Sequence, residues 1–140
     1  MSDTEAARWR EERREAAQAH AEALERRRQA ESARAHAMIV EFIAHARVHG
    51  PAPEPLRVRT FDGRHRYRTP LEGWYLRTDE TVAIDTDGAF YVLRAPSSLA
   101  GLVRGVRPEP SDPPLVIGAG GKDGESVDMK DALARLRAGA

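Results

Sequence analysis

The 140-residue chain contains no cysteine, which removes disulfide frameworks, thiol catalysis, iron–sulfur clusters and thiolate zinc sites together. Lysine is almost missing as well. Lys122 and Lys130 are the only two, and the rest of the 22 basic residues are arginine. With alanine equally common, this is the usage of a GC-rich coding bias, so arginine and alanine counts carry no weight alone. Net charge is also lacking: 22 basic residues balance 22 acidic ones, and no global field draws the chain to nucleic acid or to a membrane. No run approaches the ~20 apolar residues of a membrane span, and Met1-Ser2-Asp3-Thr4-Glu5 leads into no apolar segment. The expectation is a soluble, cytoplasmic protein with no membrane partner, of a length that suits one domain and an appendage.

Glycine and proline are absent from Asp3 to His49, where Ala, Glu, Arg and Gln dominate, and this predicts one continuous helix. Ser2 with Glu5 three residues on reads as a capping box, and Gly50-Pro51 as the stop. Residues 3–37 hold only Trp9 and Leu24 as large apolar side chains, so this arm has little to bury. Ile39, Phe42, Ile43 and Ala46 then fall on one face, which assigns the last three turns to a core. The organisation read from this is a helix over 1–50, a stiff Pro-rich linker over 51–55, and a sheet-rich domain over 56–140.

Past the linker the apolar period changes from 3.6 to 2. Leu56–Phe61 and Arg64–Arg68 flank an Asp62-Gly63 turn, Gly73–Arg77 reads as a third strand, and Thr81–Thr86 with Ala89–Arg94 flank Asp87-Gly88. A two-residue loop at Asp87-Gly88 sets Ile84 against Tyr91 and Val82 against Leu93. A short helix capped by Ser97 or Ser98, a proline-rich loop, a strand at Leu115–Ile117 and a closing helix from Asp128 to Arg137 complete the chain. The fold class is α+β: a long N-terminal helix packed by its C-terminal end on a small, mainly antiparallel sheet of five or six strands, with a short C-terminal helix. Curling into a small barrel is the alternative for the sheet.

Chemical motifs are weak. The Gly118-Ala-Gly120-Gly121-Lys122-Asp123-Gly124 run follows an apolar strand, but Asp123 stands where a dinucleotide fingerprint needs its third glycine and where a P-loop needs Ser or Thr. His45 and His49 sit one helical turn apart with Glu41 a further turn back, without the glutamate of a zinc-protease motif or a third ligand. Asp79, Glu80 and Asp87 belong to turns, and Asp85 is assigned a pairing with Arg94 inside the second hairpin. No catalytic residues, metal ligands or cofactor site are assigned, and the chain reads as a non-enzyme.

Two features remain. In the first hairpin Arg59 faces Arg66 and Arg57 faces Arg68, with Arg64 on the same side, and like charges opposed across strands call for an anionic counterpart. Acidic residues of the same chain are one candidate, and phosphate or nucleic acid the other. On the long helix, Ala16, Ala19, Ala23, Ala30, Ala33, Ala37 and Val40 recur at alternating spacings of three and four, broken once at Arg26, while Ala17, Ala21 and Ala35 lie off this seam. Trp9 adds a large aromatic side chain to an otherwise polar arm. The reading is an interaction or assembly module that uses Trp9, Ala16, Ala19, Ala23, Ala30 and Ala33 to self-associate or dock on a protein partner. Nucleic-acid binding through Arg57, Arg59, Arg64, Arg66 and Arg68 is the alternative.

Overall fold

The computed structural model describes residues 2–118 and 126–139. The chain divides into two units, Met1–Glu31 and Ser32–Ala140, with the boundary inside the first helix. That helix, α1, runs Asp3–His49. Its start is the expected capping box: the Glu5 N–H donates to Ser2 Oγ at 3.2 Å, and the Ser2 N–H reaches Glu5 Oε2 at 3.4 Å. At its end Gly50 takes φ 78° and donates to the Ala46 carbonyl at 2.8 Å. A left-handed residue followed by proline cannot prolong the helix.

In the second unit five strands form one sheet: β1 (Glu54–Thr60), β2 (Arg66–Tyr75), β3 (Val82–Asp85), β4 (Phe90–Val92) and β5 (Arg94–Ala95), in the order β4-β3-β2-β1-β5. All neighbours are antiparallel except β1 and β5. Helix α2 (Leu99–Arg104) follows, capped by Ser98 Oγ accepting from the Gly101 N–H at 3.0 Å. A two-stranded sheet of β6 (Val116–Ile117) and β7 (Val127–Asp128) leads into helix α3 (Met129–Ala138).

Four expectations need correction. The sequence ends a linker at Pro55, whereas β1 starts at Glu54 because Glu54 and Pro55 already pair with Gly73 and Glu72. The two strands expected over 64–68 and 73–77 are one, β2, and it carries Pro70 where the β1–β2 register shifts. A bulge leaves the proline no ladder hydrogen bond to make. The second hairpin is offset by one residue, with Val82, Ala83 and Ile84 opposite Val92, Tyr91 and Phe90. Its loop has three residues rather than two, because the Asp85 N–H bonds the Ala89 carbonyl at 3.0 Å and Gly88, at φ 90°, supplies the left-handed position that closes such a loop. Finally, no closed barrel forms. Leu93 links β4 to β5, giving its N–H to Thr81 on one side at 2.7 Å and accepting from Arg59 on the other at 3.0 Å, so one short run serves both edges of a curled sheet.

The curl explains why β3 is buried on both faces. Inside it lie Leu56, Val58, Tyr67, Ala83, Tyr91 and Leu93. On the outer face Trp74, Leu76, Val82, Ile84 and Phe90 pack against Ile39, Phe42, Ile43 and Ala46 of α1 and against Met129 and Leu133 of α3. Phe42 meets Trp74 edge-on with ring centres 5.2 Å apart, and the Trp74 indole N–H donates to the Pro51 carbonyl at 2.9 Å. Ala35 is buried here too. The buried stripe of α1 therefore starts at residue 35, inside the 3–37 segment whose composition suggests no core role.

Candidate functional site

No described residue of 2–31 is buried, Trp9 is 54% exposed and Leu24 47%. Exposed contacts within the helix run along it, Arg28 to Glu25 at 2.7 Å and Arg14 to Glu11 at 3.7 Å, and water screens both. The Arg13 guanidinium lies 4.7 Å from the centre of the Trp9 ring. Trp9 stands seven residues before Ala16, so Trp9, Ala16, Ala23 and Ala30 share one heptad position, with Ala19 and Arg26 at the alternating one.

Within the second unit the same heptad phase continues over Ala33, Ala37 and Val40, all exposed, Val40 by 50%. The core stripe of α1 is Ala35, Ile39, Phe42, Ile43 and Ala46. At about 100° per residue Ala37 sits roughly 160° around the helix from Ile39, so the seam faces away from the core.

The hairpin arginines do not form one continuous surface. Their expected register holds, Arg59 opposite Arg66 and Arg57 opposite Arg68. Arg66 is ion-paired with Glu80, and Arg68 donates to the Val103 carbonyl at 3.0 Å beside a second basic groove with Arg104 and Arg107. Arg57 and Arg64 are exposed. Arg59 instead lines a groove of about 560 Å³ between the outer face of the sheet and residues 114–118, together with Arg77 and Arg94. Sequence gives no sign that Arg77 or Arg94 shares a site with Arg59, since Arg94 reaches Arg59 only through the parallel β1–β5 pairing across 34 intervening positions.

The carboxylates of this groove are committed to local structure. Asp62 Oδ1 accepts from Thr60 Oγ1 at 2.6 Å and from the Arg64 N–H at 2.9 Å, and these bonds, the Thr60 hydroxyl first, hold its carboxyl below the usual range. At Asp79 burial works the other way, but the Thr81 hydroxyl and N–H, then Arg77, outweigh it and lower the carboxyl. Asp85, expected to pair with Arg94, does not. Its Oδ1 accepts from the Asp87 and Ala89 N–H groups, both at 2.9 Å, and its Oδ2 from the Tyr91 hydroxyl at 2.8 Å, because the three-residue loop folds over that carboxylate.

His45 and His49 lie with ring centres 4.9 Å apart, and among the described residues no three His, Asp or Glu side chains converge as metal ligands would. Of the Gly-rich run only Gly118 is described; 119–124 lie outside the described residues. Among the described residues no helix is long and apolar enough to cross a membrane. Compared with protein families, curated proteins and solved structures, the chain matches none.

Proposed function

We propose that this chain is a non-enzymatic assembly module whose helical arm pairs with a second helix, in the first place that of another copy of itself. The observation that carries the reading is the arm, a helix without one buried residue between positions 2 and 31 whose single tryptophan stands in phase with an alanine seam. Small seam residues let two helices approach closely, and an aromatic side chain that is costly to leave wet gains burial in such a contact.

The flanks of the seam support a parallel pairing. In a parallel two-stranded coil each position before the seam meets the position five residues later on the other helix. Glu15 then faces His20, Glu22 faces Arg27 and His36 faces Glu41. The first heptad is the exception, setting Arg8 against Arg13, whose guanidinium already lies over Trp9. The antiparallel register that brings Glu15 against Glu22 on one flank sets Arg13 against Arg34 on the other, which repels. Docking on a different protein through the same seam is the form the reading takes if no second copy binds. A cytoplasmic location belongs to the same proposal. Nucleic-acid binding through the hairpin ranks second, since Arg66 and Arg68 have partners within the chain.

Sedimentation of three forms tests this. The full chain is expected at twice the monomer mass, and deletion of residues 2–31 at the monomer mass with an unchanged melting temperature for the remainder. Ala23→Glu with Ala30→Glu is expected to dissociate the dimer, and Ala17→Glu with Ala21→Glu to leave it intact. Equal effects on both faces, or a monomeric full chain that recovers no partner, refute the seam.

A further inference from the structure

We infer that the groove holding Arg59, Arg77 and Arg94 binds a small organic anion, an oxyanion head joined to an apolar body. The parallel pairing of β1 with β5 makes Arg59 and Arg94 neighbours on one face, and Arg66 flanks Arg59 on the other side through β2. Three cations abreast at strand spacing repel one another unless each is neutralised. Glu80 neutralises Arg66, and Asp79 lies 3.5 Å from Arg77. Among the described residues no carboxylate pairs with Arg59 or Arg94; Arg94 reaches only the Phe61 carbonyl, at 3.4 Å. Asp62, the nearest acidic residue in sequence, spends its oxygens on Thr60, Arg64 and Ser97.

Arg59 carries the strongest sign of a missing partner. Its Nε is buried and has no hydrogen-bond acceptor, in a protein whose other buried polar groups are almost all satisfied. A guanidinium N–H sealed from water without an acceptor is unfavourable. An oxyanion seated between Arg59 and Arg94 accepts from both, with the two-pronged geometry that guanidinium offers to carboxylate or phosphate.

The rest of the groove is apolar. Val82 and Phe90 form its floor and Val92, more than half exposed, its flank. The Phe61 ring, 61% exposed, lies at its mouth with the Arg94 guanidinium 5.5 Å from the ring centre. A volume of about 560 Å³ is in the range of roughly 300–1,000 Å³ that takes small molecules. Opposite, Gly118 is open to the Arg77 guanidinium, where a β-carbon would overlap Nη1 and stand 3.1 Å from Cζ. A polyphosphate strand threading the groove meets Asp62 and Asp79, which both line it, whereas a single head group at Arg59 and Arg94 does not. The observations therefore favour a small anion over nucleic acid.

The test is an NMR amide titration of the full chain with phenyl phosphate, 4-phenylbutyrate, inorganic phosphate and the neutral 4-phenylbutanol. One or both aromatic anions should shift the Thr60, Phe61 and Ala95 amides with Kd on the order of 0.1–1 mM, and whichever binds tighter names the head group. The alcohol and inorganic phosphate should bind at least about tenfold more weakly. Arg94→Gln, at an exposed position, and Arg59→Lys, which keeps the charge but loses the fork, should each weaken the aromatic anion by about tenfold. The inference is overturned by unshifted amides in a folded spectrum, by equal binding of the alcohol, or by undiminished binding in both variants. Tighter, steeply salt-dependent binding of a short single-stranded oligonucleotide overturns it too, in favour of nucleic acid.

Discussion

Replacing Asp85 tests the hairpin that joins the two sides of the core. Its carboxylate is 7% exposed and accepts three hydrogen bonds, two from the backbone N–H groups of Asp87 and Ala89 at 2.9 Å and one from the Tyr91 hydroxyl at 2.8 Å. A hydrogen bond to a charged group contributes about 1.5–3 kcal/mol, and a buried donor left without a partner costs about 1–3 kcal/mol. The three share one acceptor group and do not add. Asp87 itself is exposed, so water replaces the oxygen its N–H loses, which leaves the Ala89 N–H and the Tyr91 hydroxyl as the true losses. Asp85→Ala is therefore expected to destabilise by about 3 kcal/mol, a fall in Tm of roughly 10 °C. Asp85→Asn keeps an amide oxygen for the two N–H groups and turns its NH₂ toward Tyr91, whose hydroxyl then accepts, so the loss should be about 1 kcal/mol. Chemical denaturation of the three proteins by far-UV circular dichroism measures both differences. If Asp85→Ala lies within about 1 kcal/mol of the parent, the carboxylate does not hold the loop and the account of the register fails.

The same contact predicts an alkaline limit. Burial first, then the Asp85 carboxylate, pushes the Tyr91 hydroxyl up to about 12. The folded chain thus keeps a proton that the unfolded chain releases near ~10, so this contribution to stability is complete below that pH and is lost as pH rises toward 12. Tyr91→Phe should flatten that fall and remove the phenolate absorbance step that rises toward pH 12; an alkaline fall as steep as the parent's refutes the contact. Gly73→Ala tests the β2–β3 pairing, because a β-carbon there overlaps the Ile84 carbonyl oxygen and stands 2.7 Å from Asp85 Cα, both of them backbone. A loss of about 2–3 kcal/mol is expected, and a Tm within a degree or two of the parent contradicts the register.

Local chemistry made the helices legible from sequence. Ser2 and Glu5 cap α1, Gly50-Pro51 ends it, Ser98 caps α2, and the i, i+3, i+4 placing of Ile39, Phe42, Ile43 and Ala46 fixes the buried stripe, because a helix closes its hydrogen bonds within a few residues of sequence. The register of the first hairpin was legible for the same reason, but its loop covers residues 61–64 rather than Asp62-Gly63 alone, because Phe61 gives its N–H to the Ala95 carbonyl and Thr60 closes the ladder with His65. The second shows where this stops. Asp87-Gly88 permits a two-residue or a three-residue loop, and only the buried Asp85 carboxylate, held by Tyr91 across the ladder, selects the longer one and shifts every pair by one. Pro70 reads as a break until a bulge admits it into β2, and Ala35 reads as arm until the core covers it. The groove is furthest from the sequence: Arg59, Arg77 and Arg94 share no motif, and only the return of the chain through Leu93 to pair β5 beside β1 brings Arg94 to Arg59. A strand's ladder partners are set by contacts distant in sequence, so the sequence alone determined the helices, their caps and the nearest turn, and the tertiary structure decided the register, the curl and which arginines meet.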